Sequence, residues 1–190
     1  AAVSGSQYGG QTFSHVDHYL VPYVEKTHKK NVEFCNQHGL KEAVAKDMTE
    51  KAVFDAMQTF MYQINTLTST NGQTPFVTIS LGLDTSEFGR MITRNYLKVH
   101  KAGLGKDHVT PVFPKVLFFL EEGVNMREGD PNYDLKRLAL ECSADRIYPD
   151  FVSVPLNHKV TGSTKGNVTS MGCRSFLSNY IDPQTGEEKY

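Results

Sequence analysis

Apolar residues recur every three or four positions through Val53, Met57, Phe60, Met61, Ile64 and Leu67. That spacing predicts a helix with one buried face, starting at Thr49. A looser version of the same period runs through Val16, Leu20, Val24, Val32 and Phe34. Pro22 marks a kink or boundary there, so residues 14–38 fit one helix or two, and Gly39 is the expected stop. The turn residues Thr70-Asn71-Gly72-Gln73-Thr74-Pro75 break the helical pattern, and residues 76–81 follow as a short β-rich run. A further helix opens near Asp84-Thr85-Ser86, turns Phe88, Met91, Ile92 and Leu97 inward, and ends by Gly103 or Gly105. Residues 113–120 are almost unbroken apolar sequence, as in a strand covered on both faces. Asp130-Pro131-Asn132-Tyr133-Asp134 leads into a helix whose Leu135, Leu138, Ala139 and Cys142 face a core, and Ile147-Tyr148-Pro149-Asp150 closes it. Phe151-Val152-Ser153-Val154 supplies the next strand, and the terminal Glu187-Glu188-Lys189-Tyr190 reads as a turn. Strands alternating with helices of this length imply parallel βαβ units. The expected class is α/β, with residues 1–190 as a single unit.

Composition narrows the function classes. With 190 residues, 39% of them hydrophobic, the chain can bury a substantial core. Lys and Arg number 20 against 21 Asp and Glu, a net charge of −1, and no basic run marks a surface for duplex nucleic acid. No stretch is long and apolar enough for a membrane helix and no leader pattern opens the chain, so a cytoplasmic location is expected. The cysteines Cys35, Cys142 and Cys173 are odd in number and far apart, without zinc spacing, so reduced thiols are expected. The chain starts at Ala1 without an initiator Met. It is expected to be an internal piece of a longer protein.

Cys173 carries the strongest chemical signal. It follows Gly172 at the end of a polar, glycine-rich run over residues 161–170 that cannot pack a core, and so is expected at the tip of a loop. A lone cysteine is otherwise a small buried hydrophobe, the reading given to Cys142. Ser6-Gln7-Tyr8-Gly9-Gly10 and Asn71-Gly72-Gln73-Thr74 are glycine-containing turns, either ordinary tight turns or concave anion sites built from free amides. His15-Val16-Asp17-His18 could gather two imidazoles and a carboxylate, but lacks a further ligand cluster, and no metal site is assigned there. Lys26, His28, Lys29 and Lys30 form a small basic patch, read most simply as a solvated helix face.

Seven segments together resemble the anaerobic (class III) ribonucleoside-triphosphate reductases, in order and spacing as well as in residues. They are Ser6-Gln7-Tyr8-Gly9-Gly10; Asn65-Thr66-Leu67 with Asn71-Gly72-Gln73-Thr74-Pro75-Phe76-Val77-Thr78; Phe113-Pro114-Lys115; Gly129-Asp130-Pro131-Asn132-Tyr133-Asp134; Leu138-Ala139-Leu140-Glu141-Cys142; Tyr148-Pro149-Asp150; and Met171-Gly172-Cys173-Arg174-Ser175-Phe176-Leu177. The resemblance implies a glycyl-radical enzyme built on a ten-stranded α/β barrel, with an inner finger loop at about residues 161–177 and Cys173 at its tip. In such an enzyme the cysteine receives the radical from a C-terminal glycine. Its thiyl form then takes a hydrogen atom from the 3′ carbon of the ribose, and the 2′ hydroxyl leaves as water. A radical of this kind must be held close to one C–H bond and kept from water.

The same resemblance implies substrate contacts at Ser6, Gln7, Tyr8, Gly9 and Gly10, and at Asn71, Gly72, Gln73 and Thr74. Arg174 and Ser175 would orient substrate or fix the loop. Lys29 or Lys30 would touch an effector nucleotide, dNTP or ATP, near a homodimer contact. The implied partners are a ribonucleoside triphosphate carrying Mg and a radical-SAM activating protein; formate or a thiol protein would be the reductant. The glycyl radical, a structural Zn and the second catalytic cysteine are expected outside residues 1–190, so this polypeptide alone is expected to be inactive and prone to self-association. Two other readings stay open: another glycyl-radical enzyme, such as an acyl lyase or diol dehydratase, and a non-catalytic nucleotide-binding or assembly module with the same fold.

Overall fold

In the computed structural model of the chain, the described residues are 10–67, 72, 74–162, 169–170, 180–181, 185 and 188–189. The elements follow the α/β alternation: β1 (Gln11–Phe13), α1 (Val16–Tyr19), α2 (Val21–Gln37), α3 (Glu42–Thr66), β2 (Val77–Leu81), α4 (Glu87–Ala102), β3 (Lys115–Leu120), α5 (Tyr133–Arg146), β4 (Asp150–Ser153) and α6 (Val154–Thr161). The first four strands form one parallel sheet in the order β1-β2-β3-β4. Every strand therefore pairs with its neighbour in sequence. Tyr180–Ile181 (β5) and Glu188–Lys189 (β6) make a separate antiparallel pair.

The core lies on one face of this sheet. Val77, Ile79 and Leu81 of β2 and Val116 and Phe118 of β3 pack with Met57, Met61 and Ile64 of α3, Ile92, Tyr96 and Leu97 of α4, and Leu135, Ala139 and Cys142 of α5. Each large apolar side chain removed from water here contributes about 1.5–3 kcal/mol before entropy is charged against it. Among the described residues, no helix is long and apolar enough to cross a membrane.

Several sequence expectations change in detail. Residues 14–38 form two helices, broken at Leu20, with Pro22 in the first turn of α2, where its missing N–H costs nothing. The third helix begins at Glu42, a full two turns before Thr49. Thr49 is no cap: its hydroxyl donates back to the Ala45 carbonyl (2.7 Å) and accepts from Asn31 of α2 (3.0 Å), stitching α2 to α3. Leu67 falls just past α3 and is 39% exposed rather than part of the buried stripe. Val154 begins α6 instead of ending the preceding strand, with Pro155 in its first turn. β1 is a strand that periodicity did not reveal, and the terminal segment read as a turn contains β6.

Candidate functional site

Side chains alternate across a strand, so the residues between the core positions of β2 and β3 face the other way. These are Thr78, Ser80, Leu117 and Phe119, on the face away from α3, α4 and α5, and all are buried. Leu117 and Phe119 pack with Val154, Leu83 and Val152, and the His15 ring lies 5.4 Å from that of Phe119. The polar positions on this face hold the short stretch Thr169-Ser170. Ser80 Oγ is 2.9 Å from Thr169 Oγ1 and accepts the His15 backbone N–H at 2.8 Å. Thr12 Oγ1 donates to the Ser170 carbonyl at 3.2 Å.

Strand register gives this stretch a direction. Thr12 pairs with Thr78, two residues before Ser80 on β2. Passing from Thr169 to Ser170, the chain thus steps toward the amino ends of the strands. Gly10 lies at that end, immediately before β1, and Gly72 and Thr74 precede β2. Gln11 N–H donates to the Phe76 carbonyl (2.8 Å), so the two approaches lie side by side. Gly10 is half-buried, Gly72 and Thr74 are exposed, and Gly72 has φ +73°, a conformation that favours glycine. Lys115 opens β3 at the same end, with its ammonium 5.2 Å from the centre of the Phe76 ring.

Cys173, Arg174, Ser175, Ser6, Gln7, Tyr8, Gly9, Asn71 and Gln73 lie outside the described residues. Lys29 and Lys30 are exposed on α2, but His28 does not share their solvated face. Its ring packs 5.3 Å from Phe88 and its Nδ1 lies 3.1 Å from Thr49.

The carboxyl ends of the strands carry a second polar cluster. Asp17 Oδ2 accepts the N–H groups of Gly82 (2.7 Å) and Asp84 (3.2 Å). Burial pushes the Asp17 carboxyl above its usual range, against the lowering effect of those N–H groups. Its Oδ1 has no partner among the described residues. Asn125 donates to the carbonyls of Gly82 (3.0 Å) and Phe119 (2.8 Å), and Asn132 to those of Gly82 (3.1 Å) and Asp84 (3.0 Å). Arg90 donates to Asn132 Oδ1 at 2.7 Å and to both Asp134 oxygens. His18 Nδ1 lies 2.8 Å from Asp84 Oδ2. Burial alone would raise the Asp84 carboxyl, but hydrogen bonds from Ser86 and His18 hold it below its usual range. The residues from His15 to His18 therefore serve loop geometry, beside an open cavity of about 440 Å³ lined also by Leu83 and Asp84. Among the described residues, no group of three or more His, Cys, Asp or Glu is placed to hold a metal ion.

Several segments that carry the resemblance prove to be scaffold. Asn65 clasps the entry to β3, donating to the Phe113 carbonyl (2.6 Å) and accepting from Val112 (3.1 Å). Asn132 anchors the loop after β2 through the carbonyls of Gly82 and Asp84, and Asp134 holds Arg90 of α4. Cys142 is fully buried, and desolvation pushes its thiol up to about 12. Sequence reading missed Thr12, Ser80 and Thr169. The available signal was the strict alternation Val77-Thr78-Ile79-Ser80-Leu81, which predicts one apolar and one polar strand face.

Comparison with known proteins identifies the family. The family model for anaerobic ribonucleoside-triphosphate reductase matches residues 1–189. The chain is 50% identical to the anaerobic ribonucleoside-triphosphate reductase of Enterobacteria phage T4, over 99% of this chain and 31% of the relative. It is 47% identical to that of Haemophilus influenzae, over 95% of this chain and 25% of the relative, and 43% identical to that of Escherichia coli, over 99% and 26%. The chain spans between a quarter and a third of the length of these curated relatives. With a family model covering nearly all of it and relatives this similar, the chain belongs to the anaerobic ribonucleoside-triphosphate reductase family.

Proposed function

We propose that this chain is the part of an anaerobic ribonucleotide reductase that carries the radical-bearing cysteine to its substrate. Cys173 is the catalytic thiol, the sugar of a ribonucleoside triphosphate is its target, and the product is the corresponding deoxyribonucleotide. The observation that carries this reading is the anchoring of Thr169 and Ser170 on the face of the sheet opposite α3, α4 and α5, directed toward the end where Gly10, Gly72 and Thr74 lie. Cys173 is the third residue after Ser170. A span of that length reaches at most about 11 Å, so what holds Ser170 limits where the thiol can go.

The sheet supports a barrel in the complete protein. A parallel sheet whose strands pair in sequence order, with helices α3, α4 and α5 all on one face, is wound in one sense only. Such a sheet curls and closes, whereas an open doubly wound sheet reverses its strand order. The polar, buried opposite face with Thr78 and Ser80 then becomes the barrel interior, and a finger loop over residues 161–177 enters it. Closure excludes water from a thiyl radical that would otherwise be quenched.

The chemistry follows from one sulfur held near one C–H bond. The Cys173 thiyl takes the 3′ hydrogen atom, and the 2′ hydroxyl takes up a proton and departs as water. Two electrons and a proton from formate or a thiol protein complete the reduction at the 2′ carbon, and the 3′ hydrogen returns from the sulfur, restoring the thiyl. A C-terminal glycine outside this chain supplies the radical when loaded by a radical-SAM activating protein. Gly10, Gly72 and Thr74, with their neighbours in sequence, are the substrate-side contacts, and Arg174 and Ser175 fix or orient beside the thiol. Lys29 and Lys30, exposed on α2, are available to an effector nucleotide at a homodimer contact. The Mg accompanies the nucleotide, and a structural Zn belongs to the part of the protein beyond this chain.

The test is Cys173→Ser in the full-length enzyme. Abolished turnover with nucleotide binding retained is expected. Turnover at the wild-type rate would refute the assignment.

A further inference from the structure

A radical on sulfur reacts with one hydrogen atom only when the two are held together, so the path of the chain toward residue 173 is under tight geometric demand. We propose, on the basis of the Cys173 assignment above, that Ser80 and Thr12 are positioning residues for the reaction. Their hydroxyls clamp the stem of the Cys173 loop at Thr169 and Ser170.

Two bonds from two neighbouring strands meet two consecutive residues. A single bond would leave the stem free to swivel; a second, from a different strand, fixes its direction as well. Ser80 is a node, joining the start of α1 through the His15 N–H to the stem through Thr169. Ser80 is 0% exposed and Thr169 9%, so water does not readily replace the bond between them once it is lost, while the bond from Thr12 to the Ser170 carbonyl is half-buried. The clamping side chains on Thr12 and Thr169 are β-branched and restricted at χ1, which keeps their hydroxyls aimed. A tilt of about five degrees at the stem moves a point about 11 Å away by about 1 Å, and a misplacement of that size costs up to about a hundredfold in rate. Neither hydroxyl contributes to the sheet ladder, and both lie on the face opposite the main core. Besides the His15 N–H that Ser80 accepts, the partners of these two hydroxyls on that face are in the stem.

The experiment compares S80A, T169V, the double variant, Ser80→Thr and Cys173→Ser in the activated full-length enzyme under anaerobic conditions. Ser80→Ala and Thr169→Val are each expected to lower kcat by about tenfold to a hundredfold. KM for the ribonucleoside triphosphate and the glycyl-radical content by electron paramagnetic resonance should stay within about twofold of wild type, as they do when only a step after binding is impaired. The double variant should fall no further than the worse single one, because both changes remove the same bond. Ser80→Thr, which keeps the hydroxyl, should recover most of the rate.

Wild-type kcat in Ser80→Ala and Thr169→Val, with Cys173→Ser inactive, would overturn the clamp and leave the thiol assignment standing. Losses that multiply in the double variant would overturn it as well. Turnover in Cys173→Ser would sink both. Should Ser80→Ala fail to fold, Thr169→Val decides alone, since Thr169 lies outside the sheet: an unchanged kcat would end the proposal.

Discussion

Acidification should remove stability through His100. The ring sits on α4, 0% exposed, stacked at 6.0 Å against Tyr96, and neither of its nitrogens has a partner among the described residues. Burial, assisted by the positive charge of Arg146, lowers its pKa from 6.5 to about 4. The unfolded chain therefore takes up a proton near pH 6.5 that the folded chain refuses until about pH 4. Stability present above pH 6.5 is lost as pH falls through this window. Linkage between these two values gives a loss of about 2 kcal/mol by about pH 5, approaching about 3 kcal/mol near pH 4. Asp84, Asp134, Glu87 and Glu141 have carboxyls held below their usual range and lose their contribution at more acid pH. The assay is urea unfolding followed by circular dichroism across this range, for the wild type and for His100→Leu. The variant should be at least as stable at neutral pH, having shed two buried unpaired nitrogens, and should lack the additional loss of about 2 kcal/mol on acidification. Parallel pH profiles for the two proteins would refute the reasoning.

Three further outcomes follow from the same contacts. Gly89→Ala should destabilise by about 1–3 kcal/mol despite the better helix propensity of alanine, because a Cβ there would lie 2.7 Å from the Asp84 Cβ, whose carboxylate is held by Ser86 and His18; a raised urea midpoint would show that Asp84 moves freely. Asn132→Ala should cost about 1–3 kcal/mol, since it strips a partner from the carbonyls of Gly82 and Asp84 and from Arg90; a denaturation midpoint equal to wild type would contradict this. Cys142, buried with its thiol pushed up to about 12, should resist iodoacetamide until the protein unfolds, as should the buried Cys35; alkylation of Cys142 in native protein, read by mass spectrometry, would count against the packing described.

Much of the scaffold was legible in the chain because it rests on local periodicity. Met57, Met61 and Ile64 on α3, and Met91, Ile92 and Leu97 on α4, are buried as their spacing predicts. Ser86 caps α4 by accepting the Gly89 N–H at 3.1 Å. The failures are where local chemistry had two outlets. Thr49 has the residue type of a cap but bonds backward into its own helix, because Ala45 and the residues before it already form helix with buried packing to satisfy. The three-residue strand β1 is too short for a period, and pairing with β2 creates it. The His15-to-His18 cluster resembles a ligand set, yet Asp17 turns inward to backbone N–H groups sixty-five residues and more away in sequence.

What the sequence determined by itself was the α/β class, the buried faces of the long helices and, through seven matched segments, the family. What tertiary structure alone decided was the sheet order, which face α3, α4 and α5 cover, and the meeting of Thr12 and Ser80 with Ser170 and Thr169 across 158 and 89 positions of chain. The physical reason is that helix faces follow from side chains a few residues apart. A hydroxyl's partner across the fold exists only after the sheet has assembled and the chain has packed onto it, displacing the water that would otherwise take its place.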